Sequence, residues 1–145
     1  MSALLLLSCS ESKRLHPVEP VPAIERYTGV FFTVLKKWQR EHPGVSGPVL
    51  LIISARFGLL TSDTRIPYYE QRMNPARCAT LATKVQSELQ KRLMVKQYKR
   101  IFVNVGLDYR RVLDGFNGLS GATWATGPIG VRAGQLKAWL NEEVD

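Results

Sequence analysis

Three short apolar runs constrain this chain more than any other feature. Residues 3–9 read Ala-Leu-Leu-Leu-Leu-Ser-Cys, residues 49–54 Val-Leu-Leu-Ile-Ile-Ser, and residues 100–105 Arg-Ile-Phe-Val-Asn-Val. A strand with one wet face alternates apolar and polar residues. A strand without alternation is covered on both faces, as in a parallel sheet flanked by helices. Amphipathic segments fill the intervals. Ile24, Tyr27, Phe31, Leu35 and Trp38 recur at steps of three and four, which predicts a helix ended by His42-Pro43-Gly44. Leu81, Val85, Leu89 and Leu93 predict a second helix that starts at Pro75. Beyond the third run come a short helix over 108–116, a fourth strand over 123–126, and a last helix opened by Gly127-Pro128. The expected fold is α/β, a single-domain three-layer sandwich over residues 1–145 with a mostly parallel sheet of about four strands.

Right-handed crossovers place the C-terminal ends of parallel strands on one edge, where open α/β sheets bind ligands. That edge collects Cys9 and Ser10, residues 54–58, and Val105 with Gly106. Residues 55–75 show little periodicity, and an irregular segment of that length is commonly a lid or binding loop.

Composition narrows the partners. Twenty Lys and Arg against 12 Asp and Glu leave a net charge of +8, which favours an anionic partner such as nucleic acid or a nucleotide. Cys9 and Cys78 are too few for a disulfide framework, and the two histidines are far apart in sequence. Neither a metal site nor a cofactor is expected, and a reducing cytoplasmic location is. The run at 3–7 lacks a basic flank and is too short for a signal peptide or a membrane span, so no membrane association is expected.

Three constellations lie at the presumed ligand edge. Cys9-Ser10-Glu11-Ser12-Lys13 leaves the first strand and offers amides, hydroxyls and a cation to an anionic group, without the glycines of a Walker loop. Cys9 is a nucleophile if its thiol is activated, and a small buried hydrophobe otherwise. Ser54-Ala55-Arg56-Phe57-Gly58 follows the second strand. Gly58 permits a left-handed turn, Phe57 packs beneath it or lines a pocket, and Ser54 and Arg56 face the ligand edge. Tyr68-Tyr69-Glu70 supplies rings that stack on a base and a carboxylate suited to acid–base work or to stabilising an oxocarbenium-like state. The structural alternative is aromatic packing, with Glu70 paired to Arg72 or Arg65.

Cys9-Ser-x-x-Lys13, Tyr27-x-Gly29-x-x-Phe32, Ser54-Ala-x-x-Gly58-Leu-Leu and the segment from Ile66 occur in an order that resembles an uncharacterised bacterial and phage domain family, DUF6884. That family looks distantly similar to the peroxide-stress YaaA proteins. Its Cys-Ser-x-x-Lys element is also similar to one in archaeosine-forming tRNA-modifying enzymes. The resemblance covers residues 3 to about 73. In its last motif, Tyr68 stands where the family has proline and Glu70 where it has aspartate. The resemblance implies a nucleic-acid or nucleotide setting with base excision or modification.

The leading expectation is therefore an enzyme acting on a nucleobase or its N-glycosidic bond. Glu70 would be the acid–base or oxocarbenium-stabilising group. Lys13, with Ser10, Ser12 and nearby amides, would hold a phosphate or developing anion, and Tyr69 and Phe57 would sandwich the base. Ser54, Arg56, Gly58 and Gly106 complete the expected binding edge. A non-catalytic nucleotide- or nucleic-acid-binding module is the alternative, and a Cys9-dependent hydrolase or redox enzyme is the third. A domain this small also invites a partner subunit or a homo-oligomer.

Overall fold

A computed structural model describes residues 2–142. The chain runs through β1 (Ala3–Ser8), β2 (Val21–Pro22), α1 (Ala23–Arg26), α2 (Val30–Glu41), β3 (Val49–Ser54), β4 (Gly58–Thr61) and β5 (Arg65–Ile66). It continues through α3 (Pro75–Val95), β6 (Arg100–Asn104), a 3-10 helix (Leu107–Leu113), β7 (Thr123–Trp124) and α4 (Ile129–Asn141). The main sheet has the order β4-β3-β1-β6-β7 and is parallel except for β4.

The three apolar runs form the three central strands. Leu4 to Leu7 are all fully buried, so both faces of β1 are covered. Burying each leucine contributes about 1.5–3 kcal/mol. From β1 the chain steps to β3 on one side, then crosses back past β1 to β6 on the other. Right-handed connections put α2 and α3 on opposite faces for that path. The packing agrees: α2 lies against α4, and α3 against the 3-10 helix and β4. The result is a helix–sheet–helix sandwich.

Two local expectations change. The segment 55–75 is not one long loop. Ser54 pairs with Gly58 across a tight turn, and β4 runs back along β3 as a fifth strand. Gly58 has φ +79°, the left-handed conformation this turn requires. Apart from the short turns at 55–57 and 62–64, only residues 67–74 stay irregular. The first helix is also not continuous. Lys13 bridges Tyr27, the Arg14 amide donates to Arg26, and the Thr28 amide donates to Ser12. Those pairings hold Tyr27 extended and end α1, and the buried stripe resumes on α2 as Phe32, Leu35 and Trp38.

A fully buried arginine organises the long loop after β1. Arg26 makes five hydrogen bonds, all to backbone carbonyls. Nη1 donates to Arg14 and Pro17 at 2.8 and 3.0 Å, and Nη2 donates to Glu19 at 2.9 Å. Nε and Nη2 both reach Ile66 at 3.3 Å, in β5, which pairs with β2. The guanidinium's five donors are thus all used, which fastens residues 14–19 to the chain entering residues 67–74.

Candidate active site at the switch point of the sheet

The parallel strands, in chain order, lie 2-1-3-4 across the sheet, so the connection reverses direction between β1 and β6. A crevice opens at the C-terminal ends of strands at such a point. A cavity of about 650 Å³ lies there. Ser8, Cys9, Ser10, Glu11 and Lys13 line it from the end of β1, and Tyr68, Glu70, Gln71, Arg72 and Met73 from the loop before α3. Gly106, Asp108 and Tyr109 close it from the end of β6, and Ile129 from the start of α4. The volume falls in the range of small-ligand sites.

The edge is set by backbone and hydroxyl bonds. The Cys9 amide donates to Ile53 at 2.9 Å, and the Gly106 amide donates to Ser8 Oγ at 3.0 Å, which ties the ends of β3, β1 and β6 together. Ser10 Oγ donates to the Ser12 carbonyl at 2.6 Å and accepts from the Gly29 amide at 3.2 Å. A Cβ on Gly29 would meet Ser10 Cβ at 2.5 Å, so the loop can seat there only against glycine. Residues 67–74 lead into α3, where Asn74 caps the helix by accepting from the Arg77 amide at 2.8 Å.

Beneath the cavity, phenols surround a thiol. Cys9 is buried, and its Sγ lies 2.9 Å from the Tyr109 hydroxyl. The Tyr27 and Tyr69 hydroxyls are 2.5 Å apart, and Ser54 Oγ lies 3.0 Å from Tyr69. Burial, and after it the electrostatic influence of neighbouring Cys9, pushes the ionisation of Tyr27, Tyr69 and Tyr109 far above the ordinary tyrosine value. These hydroxyls therefore act as neutral donors at physiological pH. Lys13 Nζ sits 4.8 Å from the Tyr69 ring centroid and donates to the Glu11 carbonyl at 3.2 Å. It meets no carboxylate among the described residues. Glu70 is exposed, and its Oε1 accepts from the Tyr68 hydroxyl at 2.9 Å. Arg72 and Glu11 pair at 3.7 Å across the two loops.

The structure thus brings Cys9, Ser10, Lys13, Glu70 and Gly106 to one cavity, while Ser12, Ser54, Arg56, Phe57, Gly58 and Tyr69 do not line it. Phe57 and Tyr69 stand edge to face with centroids 5.2 Å apart, so they pack on each other and leave no slot for a base between them. Ser54 Oγ instead accepts from the Arg56 and Phe57 amides at 3.2 and 3.1 Å, which shapes the hairpin turn. Glu70 pairs with Tyr68 rather than with Arg72 or Arg65. Sequence reasoning gave no role to Tyr109, Asp108 or Tyr27. Position just past Gly106 was the available signal for the first two, and the Tyr27-x-Gly29 spacing for the third. Among the described residues, no group of three His, Cys, Asp or Glu side chains is arranged to hold a metal ion. No described helix is long and apolar enough to cross a membrane.

Fold and cavity together define an open, doubly wound α/β domain with a polar switch-point site. The chain belongs to the family described as a family of unknown function, DUF6884, which it matches over residues 4–142. The family therefore extends through β6 and α4, well past the four motifs near the N-terminus. No curated protein matches the sequence.

Proposed function

We propose that this protein acts on the N-glycosidic bond of a nucleotide, free or within nucleic acid, with the reacting sugar in the switch-point cavity. The observation that carries the reading is that one cavity wall holds an exposed carboxylate, Glu70, while Lys13 in the same lining has no carboxylate partner. A cation without a counter-charge suits a phosphate or an anion that develops on the departing base, and a carboxylate facing the same space suits a developing oxocarbenium ion. In hydrolysis, water adds its hydroxyl to C1′ as the C1′–N bond breaks, and the departing base keeps the bonding electron pair and takes up a proton. Glu70 would take the proton from the attacking water, the departing base would take its proton from solvent, and the neutral Tyr109 hydroxyl would hydrogen-bond to the base or the sugar without giving up its own proton. The +8 charge favours a nucleic-acid setting, which is also what the resemblance of Cys9-Ser-x-x-Lys13 to an element of archaeosine-forming enzymes would imply.

The test is mass spectrometry of small molecules released from cellular tRNA, genomic and phage DNA, and pooled nucleotides. A free base should appear with wild-type protein, and Glu70→Gln should lower its rate by roughly 10²–10⁴-fold while ligand binding persists. Equal loss of binding and turnover in a folded Glu70→Gln variant would remove that role. One observation favours a binding module instead: Glu70 is exposed, with nothing stripping its water. Salt-dependent nucleic-acid binding without any change in the bound species would decide for that reading.

A further inference from the structure

Beside the cavity, where β6 and β7 end, lies a corner that the proposed reaction does not use. The Ala125 amide donates to Val103 at 2.9 Å, so the ends of the two strands lie side by side. Arg132 of α4 donates Nε and Nη2 to Asn104 Oδ1 at 2.9 and 2.5 Å, and Nη2 to the Val105 carbonyl at 3.1 Å. Its guanidinium lies 5.2 Å from the Phe31 ring centroid. Arg110 of the 3-10 helix donates Nη2 to the Ala125 carbonyl at 3.3 Å and lies 5.8 Å from the Trp124 ring centroid. Two guanidiniums are thus anchored on carbonyls at neighbouring strand ends, each beside an aromatic ring.

Like charges so placed repel, and neither meets a carboxylate among the described residues. Burial, and then the charge of Arg110, lowers the pKa of Arg132 from its ordinary value. Donors are also left over. Arg110 Nε is buried without a partner, and so is Nδ2 of Asn104, a residue only 1% exposed. Buried donors without acceptors are rare in native proteins and call for an explanation. The first turn of the 13-residue α4 adds to the pattern. Its N-cap, Pro128, makes no side-chain bond, and the first turn holds no acidic residue. Pro128, Ile129 and Gly130 are all exposed, so the first turn of α4 is open to solvent. Ile129, the first residue of α4, lines the cavity and makes the corner continuous with it.

We propose that Arg110 and Arg132, with the first amides of α4, form a subsite for a phosphate group whose remaining ligand lies in the switch-point cavity. Planar guanidinium forks and a helix N-terminus both match phosphate oxygens. The phosphate is either the monoester of a nucleotide or a diester of a nucleic-acid backbone. The subsite rests on the nucleotide reading only for the identity of the attached group.

Titration of the full chain with inorganic phosphate, followed through the arginine Nε–H resonances, tests this. The Arg110 and Arg132 signals should shift saturably, and Arg110→Gln should weaken binding by about tenfold or more, the scale of one lost charge-assisted contact. Lys91→Gln, on the outer face of α3, should leave it unchanged. Phosphate that leaves both arginine signals unmoved in the wild type overturns the subsite, whether or not the variant folds. So does unchanged affinity in a folded Arg110→Gln protein. Competition then separates the sources. Displacement of phosphate by nucleoside 5′-monophosphates identifies a monoester, displacement by dinucleoside monophosphates alone identifies a diester, and displacement by neither contradicts the proposal. Failure of the two readings is distinguishable. Arginine-dependent phosphate binding without base release removes the reaction and keeps the subsite, whereas base release with KM unaltered in Arg110→Gln does the reverse.

Discussion

Two arginine sites in this molecule are built in opposite ways. Arg26 is wholly buried, and each of its five donors meets a backbone carbonyl. Arg110 and Arg132 are half-buried and lie beside each other's charge, and Arg110 Nε and Asn104 Nδ2 are left without acceptors. The first arrangement is complete within the chain, so its consequence is rigidity of the loop that carries residues 9–13. The second is incomplete, which is the state expected of a surface that meets an external anion.

The largest effect that would break this contrast is at Arg26. Arg26→Ala strands the carbonyls of Arg14, Pro17, Glu19 and Ile66 and should cost about 3–5 kcal/mol of stability, measured by denaturant unfolding. A loss below about 1 kcal/mol would mean that the loop does not depend on the guanidinium. Gly29→Ala comes next. Its new Cβ collides with Ser10, so a cost of about 1–3 kcal/mol and displaced resonances across residues 9–13 are expected. Unchanged resonances there would show that Ser10 is free to move.

The phenols beneath the cavity give a pH test. Burial raises the pKa of Tyr27, Tyr69 and Tyr109 above the ordinary 10.0, so the folded state holds these protons more tightly than the unfolded chain. Their contribution to stability is complete below about pH 10 and is lost as pH rises past it. Phenolate absorbance from these three should therefore appear together with unfolding. Their ionisation in the native baseline would contradict the buried cluster. Arg110→Gln is the smallest perturbation. It should change stability by under about 1 kcal/mol, because only one bond to Ala125 is lost and a repulsion with Arg132 is relieved.

The sheet was legible because its signal is local: a strand buried on both faces must read as an unbroken apolar run, and β1, β3 and β6 do. β4 escaped notice because Gly58-Leu-Leu-Thr is short and follows β3 directly, so its pairing depends on a glycine turn rather than on periodicity. The first helix misled because Tyr27 has helical spacing, yet its backbone pairs with Lys13, a contact set by the loop's return. Of the residues lining the cavity, Cys9, Ser10, Lys13 and Gly106 were readable from their position beyond strand ends, and Glu70 as the carboxylate of the irregular segment before the second long helix. Phe57 and Tyr69 were recognised as aromatic, but their mutual edge-to-face contact is a tertiary fact. Arg26, Arg110 and Arg132 were unreadable for a related reason. Whether an arginine is satisfied depends on carbonyls that are distant in the chain.

The most direct test of the switch-point site is amide chemical-shift mapping of the wild-type protein during titration with nucleoside 5′-monophosphates. Saturable shifts confined to residues 8–13, 68–73 and 106–109 and to the start of α4 are the predicted result. Shifts gathered instead at the second cleft, between Leu59, Arg92 and Tyr98, or no saturable shift at all, would contradict it.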